Sequence, residues 1–325
     1  MKAIVNTAPG KLEWQELPLP QPGAGQVRIR THTCAICATD LEMIAGWERT
    51  GFPSIPGHEW CGTVDAVGVG VDAALAGRPC VAENVWNDGG EVGFEHPGGY
   101  GQYLITQADR VQPLPAKFPL STAALVEPLA VVVRGHSRLV SPIGSPVMIF
   151  GDGPIGLLSV AVFRDAGATD LTLVGGRDSR LALAQKLGAS KTLNYHQLGN
   201  DLTAAIRRET GRLFPTIVEA SGSATAAAAA MDLAAPDGQV LVLGDYGQTR
   251  ANFPWVHLLH REIRLVGSNA SAGAWTEAVR LATSGSIDLG GLITHSFPAK
   301  QFAEAFELLR SHPKEVVKAV LVWEP

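Results

Sequence analysis

The chain of 325 residues is 46% hydrophobic and 18% charged, which supplies a large core and excludes an intrinsically disordered chain. Lys plus Arg total 26 against 31 Asp plus Glu; the net charge of −5 offers no footprint for nucleic acid, and no basic run suggests a membrane surface. No apolar run is long enough to span a bilayer, the N-terminal stretch lacks the apolar region of a leader, and four cysteines are too few for a disulfide scaffold, so a reducing cytoplasm is the expected location.

The first third reads as β-rich. Gln26 to Thr33 alternates, with Val27, Ile29, Thr31 and Thr33 on one face and Arg28, Arg30 and His32 on the other. Short apolar runs follow at Gly62–Val67, Pro79–Ala82 and Gln102–Ile105, separated by Gly and Pro clusters, which suggests a barrel-like β domain. Residues 82–98 form a polar, glycine-rich loop whose Trp86, Asn87, Asp88, Glu95 and His96 either line a pocket or lie in solvent. A helix is expected from Ser121 through Arg138, bent near Pro128.

From Val147 the pattern alternates between strand and helix. Strands are expected at Val147–Phe150, Leu171–Val174, Thr216–Ala220, Gln239–Leu243 and Ile263–Gly267. Helices are expected after Gly151, at Asp178–Leu187, at Ser223–Ala235 and near Gly273–Ser284. Such alternation implies α/β architecture with a doubly wound parallel sheet. The tail reads as a helix near Lys300–Ser311 and a strand at Val316–Trp323, and Trp47 and Trp255 read as packing residues.

Gly151-Asp-Gly-Pro-Ile-Gly156 follows the first of these strands and opens a helix, the context a dinucleotide turn requires. Gly151 makes the tight turn, Gly153 lets the backbone approach a pyrophosphate, and Gly156 lets the helix pack on the strand. Pro154 and Ile155 start the helix, whose free N–H groups face the phosphate. After the second strand come Gly175, Gly176, Arg177, Asp178 and Arg180. An NAD site places an acid there; Gly175 removes that charge, and Arg177 and Arg180 are suited to pair with a 2′-phosphate. NADP(H) is therefore expected over NAD(H), with Asp178 keeping the NAD alternative open.

Cys34-Ala-Ile-Cys37 is a lone C-x-x-C, which argues against a zinc ribbon. His58, in Pro-Gly-His-Glu, and Glu127, an acid between apolar residues, offer nitrogen and oxygen ligands to match the Cys37 sulfur. Three ligands and one open position describe a catalytic zinc. A buried free cysteine, a hydrogen-bonded histidine and a capping glutamate remain the alternative.

Across nearly its whole length the chain resembles the zinc-dependent alcohol and polyol dehydrogenases of the medium-chain dehydrogenase/reductase family. The resemblance rests on Thr33–Asp40 and Gly57–Gly68 around the ligands, Gly98–Tyr103, Glu127-Pro-Leu-Ala130 and Gly151–Leu158. It implies a GroES-like catalytic domain from residues 1–130 and 270–325, a Rossmann domain at 131–269, and an active site in the cleft between them. In the polyol branch Glu59 competes with Glu127 for the metal. The resemblance gives Thr39 the role of first proton-relay group. Glu42 stands where relatives carry a relay histidine. The lobe that binds a structural zinc in many relatives is reduced here to the 82–98 loop, so one catalytic zinc per chain and no structural zinc are expected. A homodimer or homotetramer is also implied. The expected activity is hydride transfer between NADP(H) and a secondary alcohol, polyol or sugar and its carbonyl product. The rivals are a zinc-free NADPH-dependent enone or quinone reductase and a non-enzymatic nucleotide-binding protein on the same fold.

Overall fold

The computed structural model describes residues 1–47, 49, 51–140 and 144–324. The chain forms two compact units, Met1–Glu127 with Trp275–Pro325, and Pro128–Ala274.

The first unit is β-rich. Strands β1 (Lys2–Ala8) and β2 (Lys11–Glu16) form an antiparallel hairpin. Strand β3 (Gln26–Ala35) buries Val27, Ile29, Thr31 and Thr33 and leaves Arg28, Arg30 and His32 more accessible, as a half-buried strand requires. Helix α1 (Ala38–Ala45) follows, then β4 (Glu59–Val67), β5 (Pro79–Ala82), β6 (Tyr103–Gln107) and β7 (Val111–Pro113). Both β4 and β6 pair antiparallel with β3. The helix expected at 121–138 is instead two: α2 (Leu120–Ala123) and α3 (Val126–Ser137). The break comes at Ala124 and Leu125 rather than at Pro128. Pro128 sits in the first turn of α3, where a missing N–H costs no helical hydrogen bond.

In the second unit the elements run β8 (Pro146–Phe150), α4 (Pro154–Asp165), β9 (Asp170–Gly175), α5 (Asp178–Lys186), β10 (Lys191–Asn194), α6 (Leu202–Thr210), β11 (Phe214–Glu219), α7 (Ala224–Leu233), β12 (Ala234–Val242), α8 (Trp255–His260) and β13 (Arg264–Gly267). All six strands are parallel, in the order β10-β9-β8-β11-β12-β13. The order reverses at β8, and a ligand crevice forms beyond the carboxyl ends of strands at such a switch point. Strand β10 and helix α6 went unread in the sequence because each buries few residues: Leu193 in β10, Ala205 and Ile206 in α6. Trp47 packs edge-on against Phe94 under Arg49, as expected, while Trp255, 68% exposed, packs one side against Phe253.

The remaining elements, α9 (Trp275–Ser284), β14 (Ile293–Pro298), α10 (Phe302–Ser311) and β15 (Lys318–Val322), return to the first unit. Strand β15 pairs antiparallel with the end of β3, matching Leu321 to Cys34. That pairing carries Lys318 to the residues around Cys37. Among the described residues no helix is long and apolar enough to cross a membrane.

Candidate active site

The β3–α1 junction builds the first half of the site. Cys37 is the N-cap of α1, and the Asp40 side chain accepts the Cys37 N–H at 2.9 Å. Asp40 is fully buried; its Oδ1 meets His58 Nδ1 at 3.0 Å, and the Tyr100 hydroxyl donates at 3.1 Å to Oδ2, the oxygen that also accepts the Cys37 N–H. Burial works against ionisation of Asp40, but His58 and the Cys37 N–H outweigh it and hold the carboxyl below its ordinary range. With Nδ1 directed at a carboxylate, His58 is oriented so that Nε2 is the ring nitrogen offered to a metal, the arrangement that fixes a ligating imidazole. The sequence motif contained Asp40, yet its role became apparent only from these contacts.

Ligand atoms of Cys37, His58 and Glu59 all lie within 4.8 Å of one another. Glu127 is not part of that group; it lies buried beside it. Burial, with Glu59 and Glu91 adding to it against His58 and Lys318, pushes the Glu127 carboxyl up to about 7. Glu59 is held by Lys318, whose Nζ donates to both carboxylate oxygens at 2.5 and 2.6 Å. One soft sulfur, one imidazole nitrogen and carboxylate oxygen match the donor chemistry of zinc. The other cysteines differ in kind. Cys34, Cys61 and Cys80 are buried, and burial raises their thiols, that of Cys61 to about 12. None of the three belongs to the donor group found among the described residues.

Thr39 lies in the first turn of α1, with its Oγ1 3.7 Å from Cys37 Sγ, and Glu42 is exposed on the same helix. The 82–98 loop packs onto the His58 segment rather than lying wholly in solvent. Asn84 donates to the His58 carbonyl at 2.7 Å, and the Phe94 ring stands 5.0 Å from the His58 ring. Arg49 joins Glu91 and Glu95 of the loop, and Trp86 stacks on His96 at 3.8 Å.

The second unit holds a cavity of about 530 Å³ at the switch point, lined by the ends of β8, β9 and β11. Gly151 has φ +110°, a conformation L side chains rarely adopt. A Cβ on Gly156 would lie 2.0 Å from the Gly151 carbonyl oxygen, so the helix packs on the turn only without one. A Cβ on Gly153 would meet nothing within 4 Å, which leaves backbone open to a ligand. Gly153 caps α4, and Pro154 opens its first turn, with Ile155 next. Gly175, Gly176, Arg177 and Tyr195 line the same cavity, whereas Arg180 is buried behind it. The Arg177 Nε is buried and has no hydrogen-bond partner among the described residues. This cradle, with an unpaired guanidinium N–H, fits a dinucleotide. Tyr195 was not read from the sequence; it follows the unread strand β10.

A chain that carries a parallel sheet with this turn in one unit and one sulfur–nitrogen–oxygen donor group in the other fits a metal-assisted, dinucleotide-dependent class of protein. Residues 23–116 match the alcohol dehydrogenase GroES-like domain, and residues 154–284 match the zinc-binding dehydrogenase domain. The chain is 30% identical to an L-threonine 3-dehydrogenase of Anaeromyxobacter sp. (strain Fw109-5), covering 99% of each. It is 26% identical to a sorbitol dehydrogenase of Halalkalibacterium halodurans, again over 99% of each. The crystal structure of galactitol-1-phosphate dehydrogenase from Escherichia coli superposes with a TM-score of 0.88 at 25% identity, covering 99% of this chain and 100% of that one. The chain belongs to the zinc-dependent medium-chain alcohol/polyol dehydrogenases, and it is an oxidoreductase.

Proposed function

We propose that the chain catalyses reversible hydride transfer between NADP(H) and a secondary alcohol, polyol or sugar and its carbonyl product, using one zinc per chain. The observation that carries this reading is the Cys37, His58 and Glu59 donor group with Glu127 buried beside it. When bound, zinc supplies Lewis acidity toward a substrate oxygen, and the nicotinamide accepts or donates the hydride. Cys37 and His58 hold the metal. Glu59 is the third ligand by proximity, with Glu127 the second carboxylate, and Lys318 holds the Glu59 carboxylate in place through both oxygens. Asp40 orients His58 and the Cys37 backbone. The L-threonine and sorbitol dehydrogenases among the relatives both take their names from hydroxyl compounds, which supports a hydroxylated substrate.

In this reading Thr39 takes the substrate hydroxyl proton first, because its Oγ1 both accepts and donates, and exposed Glu42 lies nearer solvent. Thr39→Val keeps the side-chain shape and removes the hydroxyl. Turnover should fall about 10²-fold or more, the ordinary worth of a positioned proton-transfer group. Zinc content and NADP(H) affinity should not change, and Thr39→Ser should restore much of the rate. Steady-state kinetics across pH check this; wild-type turnover in Thr39→Val would route the proton elsewhere.

Gly175 at the end of β9 and the Arg177 guanidinium at the cavity support NADP(H) over NAD(H). Arg177→Ala should raise KM for NADP(H) by roughly 10- to 100-fold, the value of a charged hydrogen bond to phosphate, and leave that for NAD(H) nearly unchanged. Kinetics with both cofactors read the split.

A homodimer or homotetramer is part of the same reading. Strand β13 is one of the two sheet edges, and Trp255, Val256, Leu259 and Leu265 on α8 and β13 are exposed large apolar side chains. Pairing two such edges about a twofold axis satisfies their open hydrogen bonds. Light scattering at micromolar concentration should give at least a dimer, and Leu265→Glu should shift it to monomer. A cytoplasmic location accords with four free cysteines.

A further inference from the structure

The residue between the first two glycines of the turn is Asp152, and its carboxylate accepts three hydrogen bonds. It is buried, at 5% exposure. Its Oδ2 accepts the backbone N–H of Gly176 at 2.9 Å and of Arg177 at 2.8 Å. Its Oδ1 accepts Arg177 Nη1 at 2.8 Å and lies 3.8 Å from Arg180 Nη1. Every partner is a donor. Of the roughly four acceptor sites of a carboxylate, three carry these hydrogen bonds and the fourth side faces Arg180, so Asp152 is committed to Gly176 and the arginines rather than to a ribose hydroxyl.

Asp152 also explains Gly175. A Cβ at position 175 would lie 2.6 Å from Asp152 Cβ and 2.9 Å from its Oδ2. An acid at the end of β9 and Asp152 therefore exclude one another. In this chain the acid stands in the glycine turn, where it faces Arg177 and Arg180. Of the residues that line the cavity, Arg177 is the cation, and it stands against the Asp152 carboxylate. Arg177 is held by one nitrogen, with its Nε buried and unpartnered among the described residues. Held at one edge, a guanidinium keeps its other donors in fixed directions for a second anion.

We propose that Asp152 is a positioning residue that fixes Arg177 for the 2′-phosphate of NADP(H) and thereby sets cofactor preference. The proposal rests on the NADP(H) reading. It acts through Arg177, so its effect belongs to the phosphorylated cofactor alone.

The test is calorimetric binding of 2′,5′-ADP and 5′-AMP, which differ by the 2′-phosphate and need neither zinc nor turnover. Wild type should prefer 2′,5′-ADP by about tenfold or more. Asp152→Asn presents an NH₂ to groups that are all donors, so it should lose most of that preference while 5′-AMP affinity stays within about twofold. In the Arg177→Ala background the same change should not alter the preference further. Arg177→Lys leaves the Asp152 backbone contacts in place and tests the idea even if Asp152→Asn does not fold. A lysine held by Asp152 has no second fixed edge, so its preference should match that of Arg177→Ala. Equal losses for both ligands in Asp152→Asn would reduce Asp152 to a turn-forming residue and overturn the proposal. A preserved or increased preference in Asp152→Asn, or a wild-type preference in Arg177→Lys, would overturn it too. A wild type that fails to prefer 2′,5′-ADP would overturn the NADP(H) reading itself, and the proposal with it. That failure shows in wild type alone and is thereby distinct from failure of the variants.

Discussion

Cys37→Ser is expected to yield a folded protein that neither retains zinc through dialysis nor turns over. Serine is close to cysteine in size, and Cys37 caps α1 through its backbone, whose N–H still reaches Asp40. What is lost is the thiolate, the one soft ligand of the donor group. An un-ionised hydroxyl does not replace it, and metal affinity falls accordingly. Zinc polarisation of a substrate oxygen contributes several kcal/mol to the transition state; a loss of about 4 kcal/mol lowers turnover roughly a thousandfold. Elemental analysis, circular dichroism and turnover on one preparation check this. Full activity in Cys37→Ser would remove Cys37 from the site.

Asp40→Ala is expected to weaken zinc binding and fold stability together, although Asp40 does not belong to the donor group. Its carboxylate gathers the Cys37 N–H, His58 Nδ1 and the Tyr100 hydroxyl at a fully buried position. Without it three polar groups lose their acceptor, and stranding a buried donor costs about 1–3 kcal/mol. The His58 ring also loses the bond that sets its tautomer, which lowers metal affinity by about 10- to 100-fold. Competition with a chromophoric chelator measures the first effect and urea unfolding the second. Tight zinc binding in Asp40→Ala would show that His58 is oriented by its packing against Phe94 instead.

The parts of the fold visible in the sequence were those with a local signature. The alternation of β3 and the strand–glycine–helix passage at β8 and α4 are contiguous, and the structure keeps both. Cys37 and His58 stood in short motifs, and the folded chain brings them together. What stayed hidden depends on distance or on shape. Lys318 meets Glu59 only because β15 pairs with β3, and the two residues are 259 positions apart. Gly175 read as the absence of an acid; the structure adds that Asp152 occupies the space a side chain there would need. The 121–138 helix divided at Ala124 and Leu125, where composition gives no breaker. Whether Glu59 or Glu127 ligates was open in the sequence because nothing local ties residue 127 to residue 37. Proximity to Cys37 and His58 favours Glu59.

The central claim is metal-assisted hydride transfer from a hydroxylated substrate to NADP⁺. Its most direct measurement is NADPH formation across a panel of polyols, sugars and secondary alcohols, before and after zinc is removed with a chelator and then restored. The account predicts turnover with at least one panel member, its loss on zinc removal and its recovery with one zinc per chain. Turnover that persists undiminished in zinc-free protein would contradict it.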